Sequence, residues 1–372
     1  METPTTSTVY FANLRARKAK ESKIKKIAKL FNKAGFKHTV VRDGLTAVKV
    51  HFGERGNDTF LSPVLVRAAI DKIKEAGGKP FLTDTNTLYS GSRFHAVDHL
   101  ITAIEHGFDY AVTGAPLIIA DGLRSNNMRE VAIAGKHFSS VKLAADIVDA
   151  DSLFALSHFK GHELAGFGGT IKNLAMGCAP RQGKKAQHCV RFFVEHHRCV
   201  GCGECVKVCP QNAISVNERK AKIETDLCVG CGECLTVCQN KSIMTNWKTE
   251  MEGFTERMVE YAKGVIQGKA GRTAFFNFLL NITPDCDCVP WSDAPIVPDI
   301  GILCSHDPVA LDKASLDLVN AQMGIAGTHL KANHHPGEHK FKGVWDNTMG
   351  DLQISYAEEI GLGSSQYELV RI

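Results

Sequence analysis

Eight of the cysteines follow two copies of one spacing pattern. Within each copy, three cysteines are separated by two residues and a fourth follows after three more; the copies are Cys199, Cys202, Cys205 and Cys209, then Cys228, Cys231, Cys234 and Cys238. Each cysteine recurs 29 positions later, which indicates an internal duplication. Three thiolates at this spacing can ligate one cubane, while the fourth ligates the cubane of the other copy. The pattern therefore predicts two 4Fe–4S clusters.

The crossed arrangement assigns a ligand set to each predicted cluster. The first set is Cys199, Cys202, Cys205 and Cys238, and the second is Cys228, Cys231, Cys234 and Cys209. Zinc sites also use paired cysteines, but a zinc ion takes four ligands and leaves the third cysteine of each triplet unexplained. Glycines between the cysteines let backbone amides approach the cluster sulfurs. These glycines are Gly201, Gly203, Gly230 and Gly232.

A second concentration of reactive side chains precedes the cysteine copies. It begins where a predicted strand over residues 153–157 ends, and its members are His158, Lys160, His162, Gly168, Gly169, Lys172 and Asn173. Ligands of open α/β sheets bind beyond the carboxyl ends of the strands. Glycines let the backbone approach an anion, amides at a following helix start can donate to it, and lysines supply positive charge.

This loop predicts a site for an anionic small molecule that carries a carboxylate or a phosphate. The predicted substrate-binding residues are Lys160, Gly168, Gly169 and Asn173. The predicted catalytic residues are His158, His162 and Lys172, with a histidine moving protons. The alternative is purely structural, because glycine-rich turns are common and histidines near strand ends often only make hydrogen bonds. Fingerprints for nicotinamide cofactors, nucleoside triphosphates and nucleophilic serine are absent from the sequence.

Three further cysteines form a candidate third metal or cluster site, namely Cys178, Cys286 and Cys288. The last two are separated by one residue, a spacing that can direct two thiols at one metal or leave a redox pair. The alternative is packing, since a free buried cysteine behaves as a small hydrophobic residue.

Composition excludes several classes of protein. The chain has 372 residues, 44% of them hydrophobic and 23% charged, which is typical of a globular protein with about two or three domains. The net charge of +4 gives no general case for nucleic-acid binding. We expect no membrane span and, without the apolar core of a secretory signal, a cytoplasmic protein. In that setting 13 cysteines favour metal binding or redox chemistry over disulfides.

Strands and helices alternate on both sides of the cysteine copies. The predicted strands are 47–52, 80–83, 117–120, 153–157, 276–282, 300–304 and 367–372. The predicted helices are 62–77, 94–106, 141–150, 255–266 and 308–323, and a basic surface helix is predicted around Lys25. Strands separated by helices of this length pair in parallel. We therefore expect one α/β body with a mainly parallel sheet, split in sequence by the cysteine-rich stretch.

The cysteine-rich stretch resembles the bacterial two-cluster ferredoxins over residues 189–247, although Gln239 stands where the first copy has Pro210. Most of the chain resembles a family of uncharacterised iron–sulfur proteins in which an α/β domain is interrupted by such an insert. The motifs that carry this resemblance begin at His51, His158 and Gly168, and include segments 285–288, 299–301 and 307–312. The resemblance implies an α/β body over 1–188 and 248–372, interrupted by a small α+β ferredoxin domain over 189–247.

The favoured function is electron transfer between an external donor or acceptor protein and the anion site. If that site is catalytic, the protein is an iron–sulfur oxidoreductase. One alternative is a protein that holds a metal or cluster for transfer, with Cys178, Cys286 and Cys288 as the transient site. Another is a non-catalytic electron-carrying subunit of a larger complex, in which the basic helix near Lys25 is a docking surface.

Overall fold

The chain is described by a computed structural model over residues 6–89, 91–188, 191–209, 211–228, 230, 232–245 and 247–372. In chain order the strands are β1 Ser7–Asn13, β2 Leu45–Val50, β3 Lys79–Asp84, β4 Leu117–Ile119, β5 Met128–Ala132, β6 Ser140–Ala144, β7 Ser152–His158, β8 Lys160–His162, β9 Gly166–Gly168, β10 Phe193–Val194, β11 Ile214–Asn217, β12 Lys220–Ile223, β13 Ile243–Met244, β14 Thr273–Leu279, β15 Gly301–Ser305 and β16 Tyr367–Arg371.

The helices are α1 Lys23–Lys33, α2 Pro63–Glu75, α3 Ala96–Glu105, α4 Tyr110–Thr113, α5 Ala145–Asp149, α6 Thr170–Ala175, α7 Arg181–His188, α8 Glu204–Val208, α9 Glu233–Val237, α10 Trp247–Ile266, α11 Pro308–Asn320 and α12 Gly350–Glu359. Short 3₁₀ helices lie at Ala19–Glu21, Phe36–His38 and Phe341–Gly343. Within the described ranges, every helix is too short or too polar to cross a bilayer.

An eight-stranded sheet forms the centre of the molecule, in the order β16-β1-β15-β14-β7-β2-β3-β4. Only β15 is antiparallel to its neighbours, β1 and β14, and the remaining pairs are parallel. This confirms the predicted mainly parallel sheet. Strands β7 and β14 are parallel neighbours, although the cysteine-rich segment separates them in the chain. The sheet therefore contains strands from both sides of that segment.

The sheet is covered on both faces, as its two central strands, β7 and β14, show. Every residue of β7 and of β14 is buried, and their sequences are almost continuously apolar. Such runs are typical of parallel strands that helices cover on both sides. Phe154 and Phe276 pack into the core that contains α1 and α2, whereas Phe275 and Leu153 pack into the core that contains α6 and α10.

The helix predicted over 141–150 is wrong in its first half. Residues 140–144 form β6, which pairs antiparallel with β5, and only Ala145–Asp149 is helical. In β6 the buried Val141 and Leu143 alternate with an exposed Lys142, a period of two that the short apolar run hides. Strand β1 was also not predicted, although it lies inside the sheet between β15 and β16.

The basic helix predicted around Lys25 is α1. Ser22 precedes it, and the amide of Lys25 donates to the Ser22 hydroxyl at 3.4 Å. Ile27, Leu30 and Phe31 are buried as the helical spacing requires, but Ile24 is exposed.

Candidate functional site

The carboxyl ends of four neighbouring parallel strands meet at one edge of the sheet. Beyond them lie His51 after β2, Thr85 after β3, the β8–β9 hairpin after β7, and the loop 280–288 after β14. This is the edge at which α/β proteins place their ligands. The structure therefore puts the reactive loop of residues 158–173 where its sequence position predicted.

Two adjoining cavities open at this edge, of about 80 Å³ and about 40 Å³. Both are lined by His51, Lys172, Met176 and Gly177. The smaller cavity is also lined by the predicted residues His158, Lys160, Gly168, Gly169 and Asn173, together with Cys286. The larger cavity is also lined by Arg93, His162, Glu163, Lys184, His188, Glu233 and Cys288. The structure thus brings the predicted anion-site residues together around a small, cation-rich space.

Lys172 faces a thiol inside the site. Its Nζ lies 3.7 Å from Sγ of Cys286. A hydrogen bond from Cys288 holds the pKa of Cys286 well below its usual value, and the charges of Lys172 and Lys160 act in the same direction against the opposing effect of burial. The same bond, together with burial, raises the pKa of Cys288 well above its usual value. The pair is therefore asymmetric, with Cys286 the more acidic of the two thiols.

Cys286, Cys288 and His162 bring three potential metal-ligand atoms within 4.8 Å of one another. Among the described residues Cys178 is not part of this group, so the structure corrects the predicted trio of Cys178, Cys286 and Cys288. Cys178 is fully buried in the core, where burial raises the pKa of its thiol to about 12. Packing accounts for its position.

His158 is buried and uses both ring nitrogens in contacts with protein groups. Nδ1 lies 2.8 Å from Oδ1 of Asp287, and Nε2 lies 2.8 Å from the carbonyl oxygen of Leu280. Lys160 donates to the carbonyl oxygen of His158 at 3.0 Å, and its Nζ is 3.5 Å from Asp287. Burial opposes charge on Asp287, but His158 and Lys160 outweigh it and lower the pKa of this carboxyl group. These contacts place His158 and Lys160 as supports for the loop that carries the two thiols.

One predicted feature of the anion site is wrong. The amides at the start of α6 were expected to be available to a ligand, but Thr170 and Ile171 donate them to the carboxylate of Asp312, at 2.7 and 2.8 Å. Asn277 also donates to Asp312, at 2.7 Å. The carboxylate of Asp312, from α11, therefore takes the place of a bound anion at this helix start. The local sequence of the loop does not predict this contact.

Asn173 is likewise held by protein groups. Lys49 donates to its Oδ1 at 2.8 Å, and its Nδ2 donates to Ser157 Oγ at 3.0 Å. Lys49 in turn lies 3.0 Å from Asp84, and both side chains are buried. Asn173 thus links α6 to the ion pair of Lys49 and Asp84.

A buried network that the sequence did not predict supports the wall of the site that contains His51. Arg93 lies 3.1 Å from Glu54 and 3.2 Å from Nε2 of His51, and it donates to the Tyr89 hydroxyl at 2.7 Å. Tyr89 donates in turn to the carbonyl oxygen of Cys288 at 3.1 Å. Burial and the charge of Arg93 lower the pKa of His51 well below its usual value. Only the motif at His51–Glu54 pointed to this wall from sequence.

In the cysteine-rich segment, the first predicted ligand set surrounds one cavity. Its lining contains Cys199, Cys202, Cys205 and Cys238. The pKa of Cys205 is raised by burial and further by the charges of the other three thiols, which therefore lie close to it. Backbone amides donate to two of the sulfurs: Ala221 to Cys199 at 3.3 Å and Ser242 to Cys238 at 3.2 Å.

The second ligand set surrounds another cavity, whose lining contains Cys209, Cys228 and Cys234. Cys231, its fourth predicted member, lies outside the described residues, as do Pro210 and Cys189. The amide of Ala213 donates to Cys209 Sγ at 3.2 Å, which repeats the bond from Ser242 to Cys238 in the other copy. Helices α8 and α9 repeat in the same way, each beginning after a glycine with positive φ. The duplication seen in sequence is therefore also present in the backbone.

The second cysteine cavity adjoins the cavity at the sheet edge. Glu233, at the start of α9, lines both of them. His188 lines the sheet-edge cavity, and its Nδ1 lies 3.1 Å from the carbonyl oxygen of Gly230, between the cysteines of the second copy. The cavity of the second cysteine set and the site that contains Lys172 and Cys288 thus share Glu233 as a lining residue.

A family model described as "Domain of unknown function (DUF362)" matches residues 46–317. No curated protein matches the chain. One similar solved structure is the lactate racemase apoprotein from Thermoanaerobacterium thermosaccharolyticum, with a TM-score of 0.40 and 12% identity over 74% of this chain and 51% of that chain. Another is a protein from Thermotoga maritima, with a TM-score of 0.41 and 8% identity over 80% of this chain and 58% of that chain. The chain thus spans little more than half the length of these two proteins.

Proposed function

Because the chain belongs to the DUF362 family, whose function is unknown, we propose a function from its own residues. The protein is an iron–sulfur protein that transfers electrons between two 4Fe–4S clusters and an anionic small molecule bound at the sheet edge. A ferredoxin-like domain over 189–247 holds the clusters, and it interrupts an α/β body over 1–188 and 248–372. An external protein donates or accepts the electrons.

The cysteine geometry supports the clusters. Seven of the eight predicted ligands are described, and they line two cavities in the crossed combination that the spacing predicts. Amide bonds to sulfur are among the interactions that tune such clusters. Cys199, Cys202, Cys205 and Cys238 would hold one cluster; Cys209, Cys228 and Cys234, with Cys231, would hold the other. The clusters would supply one-electron transfer chemistry.

The observation that carries the proposal is the shared wall between cluster and site. Glu233 lines both the cavity of the second cysteine set and the cavity that contains Lys172 and Cys288. A cluster next to a cation-rich cavity is suited to exchange electrons with a ligand held there. Coupling between the cysteine-rich domain and the α/β body follows from this adjacency.

At the site, Lys172 binds the anion and His162 offers a hydrogen-bond donor. Lys172 is the lysine common to both cavities, and Gly168 and Gly169 line the smaller of them. His162 is uncharged, because burial and then the charge of Lys172 lower its pKa well below its usual value. Lys160 and Asn173 line the site and are held in place by Asp287 and Lys49, respectively. His158 positions Asp287. A small carboxylate fits a cavity of about 80 Å³ better than a nucleotide does.

Replacing Lys172 by methionine should weaken anion binding without removing the clusters. A charge-assisted hydrogen bond contributes roughly 1.5–3 kcal/mol, so we expect about a tenfold to hundredfold weaker apparent affinity. The probe is oxalate, titrated anaerobically while the visible and EPR spectra of the clusters are recorded. Lys185→Met, which removes an exposed lysine of α7, is the matched control. An oxalate response that is identical in Lys172→Met and wild-type protein would contradict the proposed site.

The two alternative functions have less support. A metal-transfer role for Cys178, Cys286 and Cys288 loses Cys178, which is packed in the core. Purification with a stable partner would favour an electron-carrying subunit instead, with exposed lysines of α1 such as Lys25 as the docking surface.

A further inference from the structure

We propose that Cys286 and Cys288 are a disulfide–dithiol couple that stores two electrons beside the second cluster. The inference rests on the proposed function for the source of the electrons, but the couple itself is defined by residues of the α/β body alone. It assigns a redox role to a pair that the anion site does not use.

The two sulfurs are held close together on a fixed loop. They lie within 4.8 Å of each other, together with a ring nitrogen of His162. The residue between them, Asp287, is buried and held by His158 and Lys160, and its carbonyl oxygen accepts the Glu54 amide at 2.9 Å. The Tyr89 hydroxyl holds the carbonyl oxygen of Cys288. The loop is therefore anchored from both walls of the site, which keeps the thiols facing each other.

The pair has the asymmetry that thiol–disulfide chemistry requires. Cys286 is 2% exposed, and its sulfur faces the ammonium group of Lys172 at 3.7 Å. A thiolate stabilised by a neighbouring cation, next to a protonated thiol, is the usual reactive arrangement of such couples.

The hydrogen bonds of His162 favour a redox pair over a metal site. Its Nδ1 accepts the amides of Leu164 and Ala165, at 3.1 and 3.2 Å, so the neutral ring carries its proton on Nε2. Neither nitrogen then offers a free lone pair to a metal, and the Nε2–H group of the imidazole can only donate a hydrogen bond.

Glu163 provides the proton source in the same cavity. Its side chain is 5% exposed, and within the described part of the chain its Oε2 lacks a hydrogen-bond partner. Burial raises the pKa of this carboxyl group well above its usual value. An acidic proton beside a thiol is what reduction of a disulfide consumes.

The reaction balances with groups that the proposal names. Breaking the bond between Sγ of Cys286 and Sγ of Cys288 takes two electrons, which the two clusters held by the cysteine sets would supply, one each. Cys286 leaves as the thiolate beside Lys172, while Cys288 takes one proton from Glu163. Glu163 then regains its proton from solvent. In the reverse direction the two thiols lose two electrons and one proton as the disulfide forms.

Equilibration of the full-length, cluster-containing protein in anaerobic glutathione redox buffers tests the couple. After alkylation of free thiols, mass spectrometry should show the peptide containing both cysteines change from doubly alkylated to unalkylated, with the slope of a two-electron couple, about 30 mV per tenfold change. Cys286→Ser and Cys288→Ser should each abolish this change, whereas Cys304→Ala, at a buried thiol of β15, should retain it. Full alkylation of both thiols in the most oxidising buffer would overturn the couple.

A second readout separates the couple from its electron source, because glutathione equilibrates with thiols whether or not clusters are present. In photoreduction of fully oxidised wild-type protein, the first two electron equivalents should reduce the disulfide, and the clusters should bleach only afterwards. Cys286→Ser should remove that delay. A couple that titrates with glutathione but causes no delay would overturn the electron path from the clusters. Zinc that binds stoichiometrically and protects both thiols from oxidation would overturn the redox role itself.

Discussion

Replacing Cys209 by alanine is expected to remove the cluster of the other cysteine copy, not the cluster of its own. The structure places Cys209 on the cavity of Cys228 and Cys234, and the amide of Ala213 points at its sulfur. Its own triplet lines a different cavity together with Cys238. The iron content should fall from about eight to about four per chain, as measured by colorimetric assay of anaerobically purified protein.

The identity of the surviving cluster decides between crossed and uncrossed ligation. The EPR spectrum of reduced Cys209→Ala should match that of Cys234→Ala and differ from that of Cys205→Ala. Cys304→Ala, outside both cavities, is the control for loss of a buried thiol. If Cys209→Ala instead matches Cys205→Ala, each triplet binds the fourth cysteine of its own copy, and the crossed assignment is wrong.

Replacing Lys49 by methionine should give the largest loss of stability outside the cysteine-rich segment. Lys49 is fully buried on β2, where its Nζ lies 3.0 Å from Asp84 and donates to Asn173. Burial would raise the pKa of Asp84, but Lys49, then His99 and Arg93, lower it, so the charged carboxylate depends on these neighbours, of which Lys49 has the largest effect. Removing one partner of a buried pair leaves an uncompensated charge and costs roughly 3–5 kcal/mol. Denaturant unfolding monitored by circular dichroism measures the change.

Lys79→Met is the matched control, because Lys79 begins the neighbouring strand β3 and pairs with Asp43 on the surface at 3.9 Å. Exposed pairs of this kind contribute at most about 1 kcal/mol. Equal losses of unfolding free energy in the two variants would mean that the buried pair of Lys49 and Asp84 does not stabilise the protein more than a surface pair does. The double variant Lys49→Met with Asp84→Asn should recover part of the loss, since it removes the unpaired charge.

The sequence predicted features that follow from regular spacing. The cysteine repeat predicted which thiols share a cavity, because the spacing is the one that ligation of the proposed clusters would require. The position of Lys160 and Lys172 after a buried strand predicted their place at the sheet edge, because parallel strands bring their carboxyl ends together. The DUF362 match agrees with the domain of unknown function in the expected resemblance, and the eight-stranded sheet agrees with the mainly parallel sheet expected for the body.

What the sequence did not predict depends on residues distant in the chain. Asp312 comes from α11 and occupies the helix start that was expected to bind an anion. Asp287 comes from the loop after β14 and forms a hydrogen bond with the ring of His158. Cys178 was grouped with Cys286 and Cys288 because nothing local separates a packed thiol from a reactive one. The contacts of Asp312 and Asp287 each span more than 100 residues, and no local pattern encodes them.

Counting iron and acid-labile sulfide in anaerobically purified wild-type protein tests the central claim most directly. Two 4Fe–4S clusters predict about eight iron and about eight sulfide per chain, with EPR signals from two reduced clusters. Zinc in place of iron, or about four iron with a single EPR signal, would contradict the account.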